Sequence, residues 1–333
     1  MTTSLSQAIL VLGMHRSGTS ALSGALHLLG VPLGDSLIAA DPVLNAKGYW
    51  EHSDITDINE RILRKLGSSW LDESALPEQW WTDEAILPLR EELVHTLRTN
   101  FEGRALWGVK DPRICRLLPL WMIVLDEVKS HPSFVIIARD PVETAVSLER
   151  RNGIHAWKSA LLWLRYILDA EVYTRGYRRT FLTYEQLLRD WETRVTCISD
   201  ELAVDWPVPL ATARNDIASF LDGNLRHNNV ATIVPAPDAY LDLARTAYTA
   251  LDQGLDGLCA VRSRLVKELD EAADRNKIFL SQINECLLKI EQHAPQLFQL
   301  RCAEQEIQRV KATVSWRITK PLRYIANRVR KLR

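Results

Sequence analysis

The chain has 333 residues, 47% apolar and 25% charged, with a formal net charge of −1. That is ordinary globular composition with enough apolar residues for a sizeable core. The near-zero total excludes a generally basic, nucleic-acid-binding surface. The charge is uneven, however. No acidic residue follows Glu306, while nine Lys or Arg do, leaving about −10 on residues 1–306.

The first element expected is a buried strand at Ala8-Ile9-Leu10-Val11-Leu12, an apolar run ending at Gly13. A turn leads into a helix over Ser20 to Leu29. The loop Gly13-Met14-His15-Arg16-Ser17-Gly18-Thr19-Ser20 therefore sits where a strand hands over to a helix. Such a loop points backbone N–H groups at an anion, and the helix dipole adds partial positive charge. Thr19 and Ser20 add hydroxyl donors, and Arg16 adds a permanent planar cation. An ATPase loop of the form G-x-x-x-x-G-K-[ST] has Lys where Thr19 stands, which argues against ordinary NTP hydrolysis.

Further helical patterns run from Asp54 to Leu66 and from Glu84 to Phe101. Strands are expected at Leu106 to Val109, Phe134 to Ala138 and Thr180 to Thr183, with helices at Pro141 to Arg151 and Ala156 to Tyr173. Strands alternating with helices predict an α/β fold, a P-loop-type parallel sheet flanked by helices, over residues 1–235. The third strand delivers Arg139-Asp140-Pro141 to its C-terminal end, where open α/β sheets bind ligands. Ser147 follows about two turns into the next helix, placed to face the same pocket as Arg139.

Beyond Val234-Pro235-Ala236-Pro237 the pattern is helical. Leu258, Leu265, Ala272, Phe279 and Cys286 share one seven-residue register, with Leu269, Asn276 and Ile283 completing an a/d-like seam. The seam predicts a coiled-coil-like extension over 236–314, serving either homodimer contact or packing on its own domain. Residues 315–333 form a basic tail with interleaved apolar residues, suited either to an anionic membrane surface or to solvent. The five cysteines are odd in number and widely spaced, and no secretory leader or bilayer-length apolar run is visible. A cytoplasmic setting is expected, with membrane contact through the tail.

The two anion motifs together resemble the PAPS-dependent sulfotransferases (PAPS being 3′-phosphoadenosine-5′-phosphosulfate). The resemblance is nearest to bacterial sulfotransferase-domain proteins of surface-glycan pathways. It implies that His15, Arg16, Ser17, Gly18, Thr19 and Ser20 grip the 5′-phosphosulfate, and that Arg139 and Ser147 grip the 3′-phosphate. Two segments extend it, Lys47-Gly48-Tyr49-Trp50-Glu51 and Trp107-Gly108-Val109-Lys110-Asp111-Pro112-Arg113. By resemblance Glu51 is the general base, with His52 and Asp111 as alternatives. Lys110 faces the transferring sulfonate beside Arg16. Tyr184 would pack on the adenine, and Arg226 would close over the nucleotide. The resemblance implies no metal and a hydroxyl acceptor on a glycan or glycolipid. Two other readings stay open: a nucleotide kinase or NTPase on a related fold, and a nucleotide-binding scaffold without turnover.

Overall fold

A computed structural model describes residues 6–41, 47–221 and 238–275. They belong to one compact unit, Met1–Asn276. The expected boundary near residue 235, Arg226, the seam from Asn276 onward and the basic tail all lie outside the described residues.

Four strands form a parallel sheet: β1 (Ser6–Leu12), β2 (Leu106–Lys110), β3 (Ser130–Ala138) and β4 (Arg178–Thr183), in the order β2-β1-β3-β4. All four were foreseen; β3 begins four residues earlier than its apolar run. Registers Val11↔Lys110, Leu12↔Ile136 and Ala138↔Thr183 bring the four C-terminal strand ends to one edge. Because the chain leaves β1 to one side for β2 and returns past it for β3, that edge holds a topological switch point.

The strands are apolar throughout because both faces are covered. Ile9, Val11, Val135, Ile137 and Leu182 share one core with α1 (Thr19–Leu28), α8 (Trp191–Leu202) and α9 (Leu210–Phe220). α4 (Ile114–Glu127) packs on β1 and β3, and α6 (Ala156–Tyr173) packs on α4. Ala8, Leu10, Leu12, Phe134 and Ile136, whose side chains alternate with that first set, are fully buried too. α2 (Ser53–Lys65) and α3 (Leu87–Phe101) pair with each other, and α5 (Pro141–Asn152) packs on α6. The short α7 (Tyr184–Arg189) opens with a capping box between Thr183 and Gln186.

α10 (Ala239–Ala250) packs on α5 and α6. Residues 254–275 form a further helix, α11. Its seam residues Leu258, Leu265, Leu269 and Ala272 are fully buried. Beside them, Asp270 and Arg262 pair with Arg165 and Glu171 of α6. This stretch of the seam therefore docks on its own domain. Among the described residues, no helix is long and apolar enough to cross a membrane.

Candidate active site

Each strand end contributes one chemical element. After β1, the chain turns through Gly13 to Ser17 into α1. Gly13 donates its N–H to Cys115 Sγ at 3.2 Å, and a Cβ there would stand 2.4 Å from the Ile137 carbonyl oxygen. Arg16 takes a left-handed backbone, φ 68°, and Gly18 follows at φ 93°. A Cβ on Gly18 would meet Tyr184 Cδ2 at 2.3 Å, so both the conformation and the space demand glycine. The Ser17 hydroxyl and His15 Nε2 are buried without a hydrogen-bond partner, an unfavourable state that a bound acceptor or donor would relieve.

His15 lies 4.6 Å from the Trp70 ring and 6.1 Å from Tyr166, between ring centroids. Burial pulls its pKa well below the usual imidazole value, and the charges of Arg113, Lys110, Arg151 and Arg16 add to the effect. The ring is therefore neutral near pH 7.

Arg139 follows β3. Asp140 caps α5 by accepting from the Val142 and Glu143 N–H groups, and Pro141 occupies its first turn. Arg139 Nε donates to Glu143 at 2.8 Å, and its guanidinium lies 5.0 Å from the centre of the Tyr184 ring. Tyr184 thus stands between the two anion motifs, touching Gly18 on one and Arg139 on the other. Ser147 accepts from Arg16 Nε at 2.8 Å, so α5 and the first loop meet directly. Burial lowers the pKa of Arg16, and its neighbours Arg151 and Arg139 lower it further. Arg139 and Arg151 thus act on Arg16 with like charge, a positive field that a polyanion would neutralise, although Arg139 also pairs with Glu143.

Lys110 ends β2. Its ammonium donates to Glu51 at 2.5 Å, to the Tyr49 carbonyl at 3.0 Å and to the Ser20 hydroxyl at 3.2 Å. Glu51 is buried with it. The loop, the cation and the carboxylate expected to act together are therefore in contact, although Glu51 and Lys110 stand 59 positions apart. The alternative bases are committed elsewhere. Asp111 accepts from Asn59 Nδ2 at 2.9 Å and from Arg113 at 3.0 Å; His52 pairs with Asn100 at 3.1 Å and precedes α2.

Sequence reasoning passed over Arg151. It stands four residues after Ser147 on α5, so extending the Arg139–Ser147 spacing by one turn would have found it. Its guanidinium lies 5.6 Å from the centre of the Tyr49 ring. It also overlooked Tyr166, which seats His15 together with Trp70 and donates its hydroxyl to the Trp70 carbonyl at 2.8 Å.

No protein-family model matches the chain, and no curated protein matches it. Among solved structures, it is similar to a sulfotransferase domain from the Synechococcus PCC 7002 olefin synthase, at 16% identity and a TM-score of 0.44, covering 75% of this chain and 97% of that one. A sulfotransferase domain from the curacin biosynthetic pathway gives 13% identity and a TM-score of 0.42, covering 74% and 99%. Retinol dehydratase, solved with androsterone and the inactive cofactor PAP (adenosine 3′,5′-bisphosphate), gives 14% and 0.34, covering 79% and 80%. At such distances the functional reading rests on the site's own geometry.

Proposed function

We propose that this chain is a sulfotransferase that moves a sulfonyl group from PAPS to an acceptor hydroxyl. One observation carries the reading: the Lys110 ammonium bridges the phosphate-type loop, through Ser20, to the buried carboxylate of Glu51. A cation held between an anion-binding loop and a buried carboxylate suits transfer of an anionic group to a nucleophile that must lose a proton.

The residues present fit a doubly phosphorylated nucleotide. His15, Arg16, Ser17, Gly18, Thr19 and Ser20 would hold the phosphosulfate end, where Ser17 Oγ and His15 Nε2 await partners. Arg139 and Ser147 would hold the 3′-phosphate, with Arg151 adding to the field. PAPS supplies the sulfonyl group. Glu51 takes the proton as the acceptor oxygen bonds to sulfur; the bond from sulfur to the 5′-phosphate oxygen breaks, and its electron pair leaves with PAP. Arg16 and Lys110 face the charge that develops on the transferring group. The acceptor carried by the family resemblance is a glycan or glycolipid hydroxyl.

Titration calorimetry with PAP, paired with label transfer from radioactive PAPS, tests this reading. Binding of PAP ahead of ATP, with labelled product, is expected. Preference for ATP, with magnesium-dependent turnover, would overturn it.

A further inference from the structure

The segment 68–74, between α2 and α3, forms neither helix nor strand. Ser69, Leu71 and Glu73 within it are nonetheless buried. Backbone carbonyls in such a segment need partners from elsewhere, and side chains of α4 and α6 supply them. The Tyr166 hydroxyl donates to the Trp70 carbonyl at 2.8 Å, and Arg165 Nε donates to the Glu73 carbonyl at 2.7 Å. Arg116 donates to the Asp72 carbonyl and, at 2.7 Å, to that of Ser74. Lys158 pairs with the Glu73 carboxylate. Two helices thus fix one irregular segment through three buried cations and a phenol.

What this segment carries to the site is Trp70. Its ring meets His15 at a tilt of 52°, while the Tyr166 ring meets the same imidazole edge-on. Tyr166 therefore acts twice, as one wall of the His15 socket and as the donor that ties down the other wall. The imidazole belongs to the phosphate-type loop, directly before Arg16, and its Nε2 is buried without a partner.

We propose that Trp70 is a positioning residue of the phosphate-type loop: anchored by α4 and α6, it keeps the His15 ring dry and in one orientation, with Nε2 left to pair with the 5′-phosphate end of the nucleotide. The inference rests on the sulfotransferase reading and adds to it the part that shapes the loop.

The consequence is electrostatic. The charged and titratable groups around the ring are Arg16 in its own loop, Lys110 at the end of β2, Arg113 before α4, Arg151 on α5 and Tyr166 on α6. Asp111 pairs with Arg113, and Glu51 with Lys110. Burial first, and those cations second, keep the imidazole uncharged near neutral pH. Opening the socket removes the burial. His15 should then take up a proton as pH falls and attract an anion more strongly.

The experiment uses the full chain. It measures PAP binding by calorimetry from about pH 7.5 to about pH 5.5, a range that spans the ordinary imidazole pKa. It also follows the His15 ring by NMR with isotope-labelled histidine, the signal being assigned through His15→Asn. In the parent the signal should not titrate in that range, and His15→Asn should leave the pH dependence of PAP affinity unchanged. Trp70→Ala should weaken PAP binding and create a new dependence. Its affinity should rise about tenfold toward the acid end, the effect of a one-unit difference in pKa between free and bound states. The double variant Trp70→Ala with His15→Asn should lack that rise. Trp70→Phe, which keeps a ring against His15, should behave like the parent. Tyr166→Phe loses only the hydroxyl that ties down Trp70; it should show the same rise in smaller degree, and it decides the matter if Trp70→Ala does not fold. A purely structural role would weaken binding equally at every pH. A parent His15 signal that titrates, or a variant with no new rise, or a rise that survives His15→Asn, overturns this inference alone. Absence of PAP binding by the parent overturns the donor reading, and this inference with it.

Discussion

Helices α5 and α6 pack against each other, and both bring charge into the interior, but they handle it in opposite ways. On α6 every buried charge has a counter-ion. Lys158 pairs with Glu73, Arg165 with Asp169 and Asp270, Asp169 with Arg116, and Glu171 with Arg175, Arg179 and Arg262. Burial works against the charge of Arg165, yet Asp169 and Asp270 more than offset it, and its pKa rises. At the α5 site the sign is reversed. Burial lowers the pKa of Arg16, and the neighbours that matter most are two more arginines. Arg139 keeps a carboxylate partner in Glu143, so the contrast lies between a network that is ion-paired throughout and a site where like charges crowd Arg16 and an added anion would be favoured.

That contrast makes its largest prediction on α6. Lys158→Met strands Glu73 as a buried charge and should cost about 3–5 kcal/mol of stability in urea denaturation. The double change Lys158→Met with Glu73→Leu should recover most of the loss. Were the single change harmless, α6 would not be the structural member of the pair. Next comes the site: Arg16→Ala should lower turnover about 100-fold or more while leaving the urea midpoint close to the parent. A smaller effect is expected at Arg151→Ala, about tenfold weaker PAP binding, with the deficit shrinking as salt rises. An unchanged Kd would remove Arg151 from the field.

The smallest effect is the pH dependence of His15. Its folded pKa lies below the unfolded value, so the unfolded state binds the proton more readily. Stability is complete above the unfolded pKa near 6.5 and falls as pH drops below it, by at most about 1.4 kcal/mol per pH unit. His15→Asn should flatten the urea midpoint between pH 5 and 7 relative to the parent.

The strands and both anion motifs were legible because each is local: an apolar run, then a cation at its end. The helix from 141 and its cap could be read from Asp140-Pro141 alone. By contrast, α4 went unforeseen. It is apolar on nearly all sides, with Pro119 inside it, so it offers neither a polar face nor an uninterrupted run. The interior of α6 was equally opaque, since Lys158, Arg165, Asp169 and Glu171 look like solvent-facing residues until distant partners meet them. The same holds at the site. Resemblance suggested Glu51 and Lys110 separately, but only the register of β1 with β2 brings the Lys110 strand end beside the first loop.

The left-handed turn at position 50 (Trp50, φ 59°) has a consequence for anyone who tries to toughen this protein. Glycine relaxes such a backbone, so Trp50→Gly would relieve local strain while removing an indole packed against His27 and Phe220. Truncating a packed Trp costs about 3–5 kcal/mol against about 1–3 kcal/mol of strain returned, so library screening for heat resistance alone should keep a bulky residue at position 50 despite its backbone.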